Sequence, residues 1–160
     1  MRPIIFALAL SLSLAGMAQA QDDEDVAVAA SEAGETDLEI VDPMEPRDAT
    51  DLTLEEFVWV ARPVIVFADT PNDPRFIEQL ELLAERPEPL LERDVVIIVD
   101  TDPDARSAIR TELRPRGFGL VVMQKDGNLG FRRPSPRDVR EIIRGIDSFS
   151  FRQEEMRNAQ

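Results

Sequence analysis

The chain has 160 residues, of which 32 are acidic and 18 basic, and its net charge is −14. It contains no Cys, His or Tyr. These absences exclude disulfide bonds, thiol redox activity, zinc sites of the usual Cys/His kind and catalytic triads that depend on His. The length suits one small domain, since a typical domain takes about 100–150 residues.

The first 20 residues have the pattern of a secretory signal peptide. Arg2 supplies the positive start, residues 4–14 are mostly apolar, and Ala18 and Ala20 form the small-x-small pattern that signal peptidase recognises. The alternative, an uncleaved membrane anchor, is disfavoured because a spanning helix needs about 20 apolar residues. We therefore predict an exported protein, periplasmic or secreted, with no stable membrane insertion after cleavage.

Residues 21–51 are predicted to form an acidic disordered arm, and residues 52–160 the folded domain. Residues 21–56 hold 14 acidic side chains and one basic side chain, whereas 57–160 hold 18 and 16. Large apolar side chains are scarce in the arm, so it cannot bury enough surface to offset its chain entropy. Because phosphates repel such an arm, nucleic acid is not an expected ligand.

The domain begins with signals for a short helix, a buried strand and a second helix. Thr53–Glu56 has the form of a capping box and predicts a short helix through residues 57–59. Val64–Ala68 is a continuous β-branched and aromatic run, typical of a strand buried on both faces. Asp73-Pro74, a cap followed by proline, predicts a helix that ends before Pro87.

The next segment repeats this arrangement. Val95–Val99 predicts a second buried strand, and Asp102-Pro103 predicts the start of a helix that runs to Pro115. Two strands joined through a helix are expected to be parallel, with a right-handed crossover.

A hairpin and a last helix complete the predicted domain. Residues 120–124 and 129–132 flank a turn that contains Asp126-Gly127, a strong hairpin signal. Ser135-Pro136 predicts the start of the last helix, with Ser135 as its cap. The predicted order is β-α-β-α-β-β-α, an α/β fold with a mixed central sheet and helices on both faces.

This order resembles the thioredoxin fold, and two stretches of sequence support the likeness. Residues 116–127 resemble the thioredoxin stretch in which a cis-proline precedes a strand and a Lys-Asn-Gly turn, with Gly119 at the proline position. Residues 64–76 resemble the strand, loop and helix that carry the redox Cys-x-x-Cys. Both cysteines and the proline are missing, so the resemblance implies no redox activity. The degenerate redox loop reads Pro71, Asn72, Asp73 and Pro74.

The chain also resembles a bacterial thioredoxin-like family catalogued as domain of unknown function 4174, whose members often carry a signal peptide. The matching motifs are Arg62–Ala68, Glu92–Val96, Lys125–Gly127 and residues 146–156. The resemblance covers roughly residues 55–157. It implies a fold and a compartment, but no mechanism, because the family has no assigned catalytic residues.

Three carboxylates imitate the start of a calcium loop. Asp100, Asp102 and Asp104 have the right spacing, but Ala105 and Thr111 occupy the positions that need glycine and glutamate. We predict no metal site and no cofactor.

Asp69 and Asp73 flank the loop after the first predicted strand, where α/β sheets usually bind ligands. They could act as an acid/base pair if their surroundings separated their pKa values. The favoured alternative is that Asp73 caps its helix and Asp69 is a solvated turn residue.

Arginines are the most informative feature of the domain. Residues 105–144 hold ten basic and four acidic side chains, and Arg137, Arg140 and Arg144 share one side of the last predicted helix. If the arginines converge, they could bind a phosphate, a polyanionic glycan or an acidic partner. The alternative is a solvated face without a ligand. The candidate site consists of a predicted row on one helix, Arg106, Arg110 and Arg114, together with Arg132 and Arg133 at the hairpin exit.

The predicted function is a non-catalytic, thioredoxin-like binding or scaffold module of the cell envelope. Its partner would be an unidentified envelope protein or an anionic ligand, and the acidic arm could fold back onto the arginines. The alternative is an enzyme that uses Asp and Arg on a phosphorylated or glycan substrate. A further alternative is docking through Phe149-Ser150-Phe151, although these phenylalanines are more easily explained as covering the protein's own core.

Overall fold

The computed structural model describes Asp42 and residues 44–159, which contain a five-stranded mixed sheet in the order β1-β3-β2-β4-β5. The strands are β1 (Arg47–Asp48), β2 (Arg62–Phe67), β3 (Val95–Asp100), β4 (Gly119–Met123) and β5 (Leu129–Arg133). The helices are α1 (Pro74–Ala84), α2 (Glu88–Leu91), α3 (Ala108–Leu113), α4 (Val139–Asp147) and α5 (Ser150–Asn158), with a 3₁₀ turn at Glu55–Phe57. The predicted signal peptide, including Ala18 and Ala20, and residues 21–41 of the arm lie outside this description.

The pairing of the strands confirms the predicted sheet. β2 and β3 run parallel, from Arg62 opposite Val95 to Phe67 opposite Asp100. β2 pairs with β4 in the antiparallel direction, and β4 and β5 form the predicted hairpin. The order β-α-β-α-β-β-α is therefore present, with β1, α2 and α5 in addition.

The central strand β2 is buried on both faces because it separates two cores. Val64 and Val66 face a core formed with α1, α2 and α4. Ile65 and Phe67 face the other core, formed with the 3₁₀ turn and α3. Helical elements thus cover both faces of the sheet, which explains the uninterrupted apolar run in this strand.

The helix caps agree with the sequence at α1 and differ at α3. Asp73 caps α1 as predicted and accepts a hydrogen bond from the backbone N–H of Arg75. α3 begins later than expected, at Ala108, with Ser107 as its cap. Arg106 has a φ of +49°, which cannot continue a right-handed helix, so residues 102–106 form a turn. Asp102 accepts bonds from backbone N–H groups within this turn and does not cap the helix.

Two further differences concern the last part of the chain. Asp138 caps α4 in place of the predicted Ser135, because α4 begins only at Val139. α5 was not predicted as a helix, and none of its residues is buried, so it lacks the apolar stripe by which an amphipathic helix is recognised.

The predicted boundary of the arm at residue 51 needs a correction. Arg47 and Asp48 pair with Ile98 and Val99 of β3, and the side chain of Ala49 is buried. Composition predicted disorder here because the segment is polar. The open edge of β3, however, offers backbone hydrogen bonds that need no apolar side chains.

Candidate anion-binding site

The degenerate redox loop leads directly into the start of α1. Hydrogen bonds from Arg75, first from its side chain and then from its backbone, hold the pKa of Asp73 below its ordinary value. The guanidinium of Arg75 also lies 5.3 Å from the centre of the Phe118 ring, which links this loop to the segment before β4. Asp73 therefore caps α1, as the favoured interpretation of the sequence stated, and it also forms an ion pair with Arg75.

Asp69 lies close to the same segment before β4. Its Oδ2 is 3.7 Å from the position that a Cβ of Gly117 would occupy, and its Oδ1 is 3.9 Å from Nη1 of Arg110. Gly119 is the first residue of β4 and lies opposite Phe67, the last residue of β2. The position of the missing cis-proline thus borders the carboxyl end of the central strand.

Arg110 is partly buried, with 11% of its side chain exposed, and it links the carboxyl ends of β2 and β3. Its Nε donates to Oδ1 of Asp100 at 2.8 Å, and its Nη2 donates to the carbonyl oxygen of Ala68 at 2.7 Å. The guanidinium also lies 5.5 Å from the centre of the Phe67 ring. These contacts give Arg110 a structural role, and it is not among the residues that line the groove described below.

The predicted row of three arginines along one helix face is wrong. Of the three, only Arg110 lies within α3, while Arg106 lies in the preceding turn and Arg114 ends the helix with a φ of +48°. A spacing of four residues aligns side chains only inside a continuous helix. Here the chain leaves the helical conformation on both sides of Arg110.

The acidic residues after β3 stabilise the turn and α3. Asp100 accepts a hydrogen bond from the hydroxyl of Ser107 at 2.6 Å, in addition to the bonds from Arg110. Over Asp42 and residues 44–159, no group of three or more Asp or Glu side chains is arranged to hold a metal ion.

Four arginines surround one open groove of about 290 Å³, beside the first residues of β4 and the end of β5. We call it the Arg groove, and its lining includes Phe118, Gly119, Arg114, Arg116, Arg132 and Arg133. It contains three of the five predicted arginines. Arg116 was missed, although it stands in the same basic stretch and three residues before Gly119.

The positive charges of the Arg groove are not neutralised by the described part of the chain. There, none of the four guanidinium groups has a carboxylate within 4.0 Å. Nη1 of Arg132 donates to the carbonyl oxygen of Leu113 at 2.6 Å, and Arg133 lies 4.7 Å from the centre of the Phe131 ring. These contacts orient two side chains and leave further N–H donors of each guanidinium free.

A second hollow, of about 300 Å³, adjoins the Arg groove at Arg133. Its lining also includes Arg137 and Arg144, two of the three arginines predicted to share a face of the last helix. Arg137 is partly neutralised by Glu141, with Nη1 3.4 Å from Oε1. Arg140 lines a different hollow, so this row divides between two surfaces.

A network of ion pairs occupies the opposite end of the sheet, where β2 and β3 begin. Nη2 of Arg62 donates to both carboxylate oxygens of Glu155 at 2.8 Å, and Arg93 binds both oxygens of Asp147 at 2.8 Å. Arg152 completes the network, with Nη1 3.1 Å from Oε2 of Glu155. The network attaches α5 to the domain by charge.

Two carboxylates of this network have lowered pKa values because arginines donate hydrogen bonds to them. Hydrogen bonds from Arg93 hold the pKa of Asp147 below its ordinary value. Burial raises the pKa of Glu155, but the hydrogen bonds from Arg62 and Arg152 outweigh it, and the net shift is downward. Arg62 and Arg93 lie in the first two motifs of the family resemblance, and Asp147, Arg152 and Glu155 lie in the fourth. The same motifs could therefore have indicated a shared contact.

The two phenylalanines of the predicted docking tail have different surroundings. Phe149 packs against the core, and a Cβ on Gly130 would collide with its ring. Phe151 remains 37% exposed and meets the ring of Trp59 edge to face at 5.3 Å. The interpretation that the tail covers the protein's own core therefore holds for Phe149.

No helix within Asp42 and residues 44–159 is both long and apolar enough to cross a bilayer.

Comparisons with known proteins identify the fold and the family. Reduced 2-Cys peroxiredoxin from Plasmodium vivax matches with a TM-score of 0.51 and 14% identity, over 64% of this chain and 85% of that protein. Reduced desulfothioredoxin from Desulfovibrio vulgaris Hildenborough matches with a TM-score of 0.46 and 19% identity, over 65% and 96%. Comparison with curated proteins gives no match. The fold is thioredoxin-like. Residues 53–155 match the family described as domain of unknown function (DUF4174), and the chain therefore belongs to that family, as the resemblance predicted.

Proposed function

We propose that this protein is an exported binding module of the cell envelope that uses a thioredoxin-like domain to hold an anionic group in the Arg groove. One observation carries the proposal: four guanidinium groups without carboxylate partners in the described part of the chain surround a single groove beside Gly119. The planar guanidinium matches the geometry of phosphate and carboxylate groups, which it binds through paired N–H donors.

The chemistry of the groove supports binding more than catalysis. Without Cys or His the chain lacks the thiol and imidazole groups that most often serve as nucleophile and proton carrier. No carboxylate is among the described residues that line the Arg groove. The alternative, an enzyme that uses Asp and Arg on an anionic substrate, needs Asp69 or Asp73 in that groove. Asp73 instead caps α1 and pairs with Arg75, which makes it a poor proton acceptor.

Export is the second part of the proposal, and the pattern of residues 1–20 supports it. Expression of the full chain in a Gram-negative host, followed by fractionation and N-terminal sequencing, tests it. We expect a periplasmic or secreted product that begins at Gln21. A product that keeps Met1 and stays in the cytoplasm would contradict export without affecting the Arg groove.

Binding is tested with inorganic tripolyphosphate as a multivalent anion, titrated into the mature chain by calorimetry at about 20 mM salt. We expect the variant R116Q/R133Q to bind at least tenfold more weakly, since each lost charge-assisted contact is worth about 1.5–3 kcal/mol. The control is Arg106→Gln, which removes an arginine outside the groove and should change affinity less than twofold. Binding that ignores the groove variant, or no binding at this salt concentration, would refute the proposal.

A further inference from the structure

We infer that the Arg groove and the second hollow together bind one linear polyanion, whose chain passes over Arg133. The inference rests on the proposed anion-binding function and adds the class of ligand, a flexible chain with repeated anionic groups. One observation carries it: Arg133 lines both hollows. An anionic group beside that guanidinium therefore has a basic hollow on either side, one of about 290 Å³ and one of about 300 Å³.

The position of β5 at the edge of the sheet lets one chain reach both hollows. Successive side chains of a strand point to opposite faces of the sheet. Accordingly, Arg132 donates to the carbonyl oxygen of Leu113 at the end of α3, whereas the ring of Phe131 packs against Gly145 of α4. Because no described strand lies beyond β5, a ligand can pass from one face to the other around the end of this strand.

The charge along this path exceeds what a single anionic group can neutralise. The described residues that line the two hollows include six arginines and one acidic residue, Glu141. Glu141 partly neutralises Arg137. In the described part of the chain, Arg133 and Arg144 have no carboxylate within 4.0 Å. A chain with several anionic groups can pair with arginines of both hollows at once, which a short anion cannot do.

Contacts with the core hold two positions of the second hollow in place. Gln79 is fully buried, and its side-chain amide donates to the carbonyl oxygen of Arg137 at 3.0 Å and accepts from the backbone N–H of Arg137 at 2.9 Å. The guanidinium of Arg133 lies 4.7 Å from the centre of the Phe131 ring, and a Cβ on Gly145 would collide with that ring. A site that is ordered before binding loses less conformational entropy when the ligand arrives.

The experiment compares a short and a long anion, tripolyphosphate and medium-chain polyphosphate, on residues 21–160 at the salt concentration used for the Arg groove. The variant R137Q/R144Q removes the two arginines that line the second hollow but not the Arg groove. We expect it to weaken the binding of medium-chain polyphosphate at least fivefold and that of tripolyphosphate less than twofold, because only the long anion extends beyond the Arg groove.

The matched control is R106Q/R140Q, which removes the same charge at positions that line neither hollow. It should change the affinity for either anion less than twofold. All of these proteins keep the acidic residues of segment 21–56, so repulsion by that segment cancels when affinities are compared. An equal loss for both anions in R137Q/R144Q, or an equal effect of the control on the long anion, would overturn the inference.

A second polyanion identifies the source of the anionic chain. An oligogalacturonate of similar length carries carboxylates on a glycan, whereas polyphosphate carries phosphates. The anion whose binding is weakened at least fivefold by R137Q/R144Q has the chemistry that the two hollows recognise, and an equal loss for both anions indicates recognition of charge spacing alone. If neither anion loses affinity in this variant, the inference is wrong.

Backbone amide chemical shifts separate the failure of this inference from the failure of the proposed function. Tripolyphosphate should shift Gly119 in the Arg groove, and medium-chain polyphosphate should shift both Gly119 and Gly145. If R116Q/R133Q weakens both phosphate anions while R137Q/R144Q weakens neither and Gly145 does not shift, the inference fails and the proposed function stands. If R116Q/R133Q weakens neither, the proposed function fails, and the inference fails with it.

Discussion

Glu155→Gln provides the most direct test of how charge holds the C-terminal helix. Arg62 is only 1% exposed, and Glu155 accepts both of its shortest ionic contacts. Gln keeps the shape of the side chain but removes its charge. The buried guanidinium would then keep two neutral acceptors, the Gln amide oxygen and the carbonyl oxygen of Arg93, and its one remaining carboxylate within 4.0 Å in the described part of the chain would be Asp94 at 3.6 Å.

The expected loss of unfolding free energy lies between two limits. Removing one partner of a fully buried ion pair costs about 3–5 kcal/mol, whereas an exposed pair contributes about 0–1 kcal/mol. Glu155 is 34% exposed and water can partly replace it, so we expect about 1–3 kcal/mol. At about 4 °C for each kcal/mol, the melting temperature should fall by about 4–12 °C.

The assay is urea and thermal unfolding of residues 21–160 at pH 7, with Glu154→Gln as the matched control on the same helix. Glu154 is 58% exposed and lies 3.8 Å from an exposed Arg157, so its change should cost less than about 0.5 kcal/mol. A third variant combines Arg62→Met with Glu155→Gln. It should be more stable than Glu155→Gln alone, because the unpaired buried charge is gone. Equal stability of the two single Glu variants, or a double variant less stable than Glu155→Gln, would refute the reasoning.

Three further predictions concern pH, packing and capping. The pKa values of Asp147 and Glu155 are lowered by folding, so their contribution is complete at neutral pH and is lost as pH falls through those values. The stability difference between wild type and Glu155→Gln should therefore narrow as pH falls from about 4.5 to 3, and a constant difference in urea midpoints would contradict this. Gly130→Ala would drive a Cβ into the Phe149 ring and to 2.8 Å from a backbone oxygen, and should cost about 1–3 kcal/mol by thermal unfolding. Gly119→Ala, with no heavy atom within 4 Å of its Cβ, should cost less than about 0.5 kcal/mol, and equal losses would show that the packing argument is mistaken. Ser107→Ala removes the cap of α3 and should lower the free energy of unfolding in urea by about 1–2 kcal/mol. Ser135→Ala should have almost no effect, because Asp138 caps α4. A larger loss of stability for Ser135→Ala than for Ser107→Ala would instead support Ser135 as the cap of α4.

Local signals predicted those features that depend on neighbouring residues. The runs at residues 64–68 and 95–99 predicted parallel buried strands, because only a strand covered on both faces is apolar throughout. Asp73 was recognised as a cap because Pro74 follows it. α5 could not be recognised in the same way, since ion pairs to distant residues hold it in place of an apolar stripe.

The candidate site was predicted only in part, for a related reason. The spacing of Arg106, Arg110 and Arg114 suggested one helix face, but positive φ values at the first and last of them interrupt the helix. Arg110 points from α3 toward the carboxyl ends of β2 and β3, where its guanidinium pairs with Asp100. Pro115 marks the end of the helix next to Arg114, but the contact of Arg110 with Asp100 has no signal in the spacing of the arginines.

The amino-acid sequence by itself determined the absence of thiol chemistry, the order of the main strands and helices, and the concentration of acidic residues near the start of the chain. Only the tertiary structure decided which charges meet. The register of β4 against β5 brings Arg132 and Arg133 beside Arg114 and Arg116, while the ends of β2 and β3 hold Arg110 by hydrogen bonds. Charges far apart in sequence become neighbours through backbone pairing and core packing, and composition and spacing carry no information about that geometry.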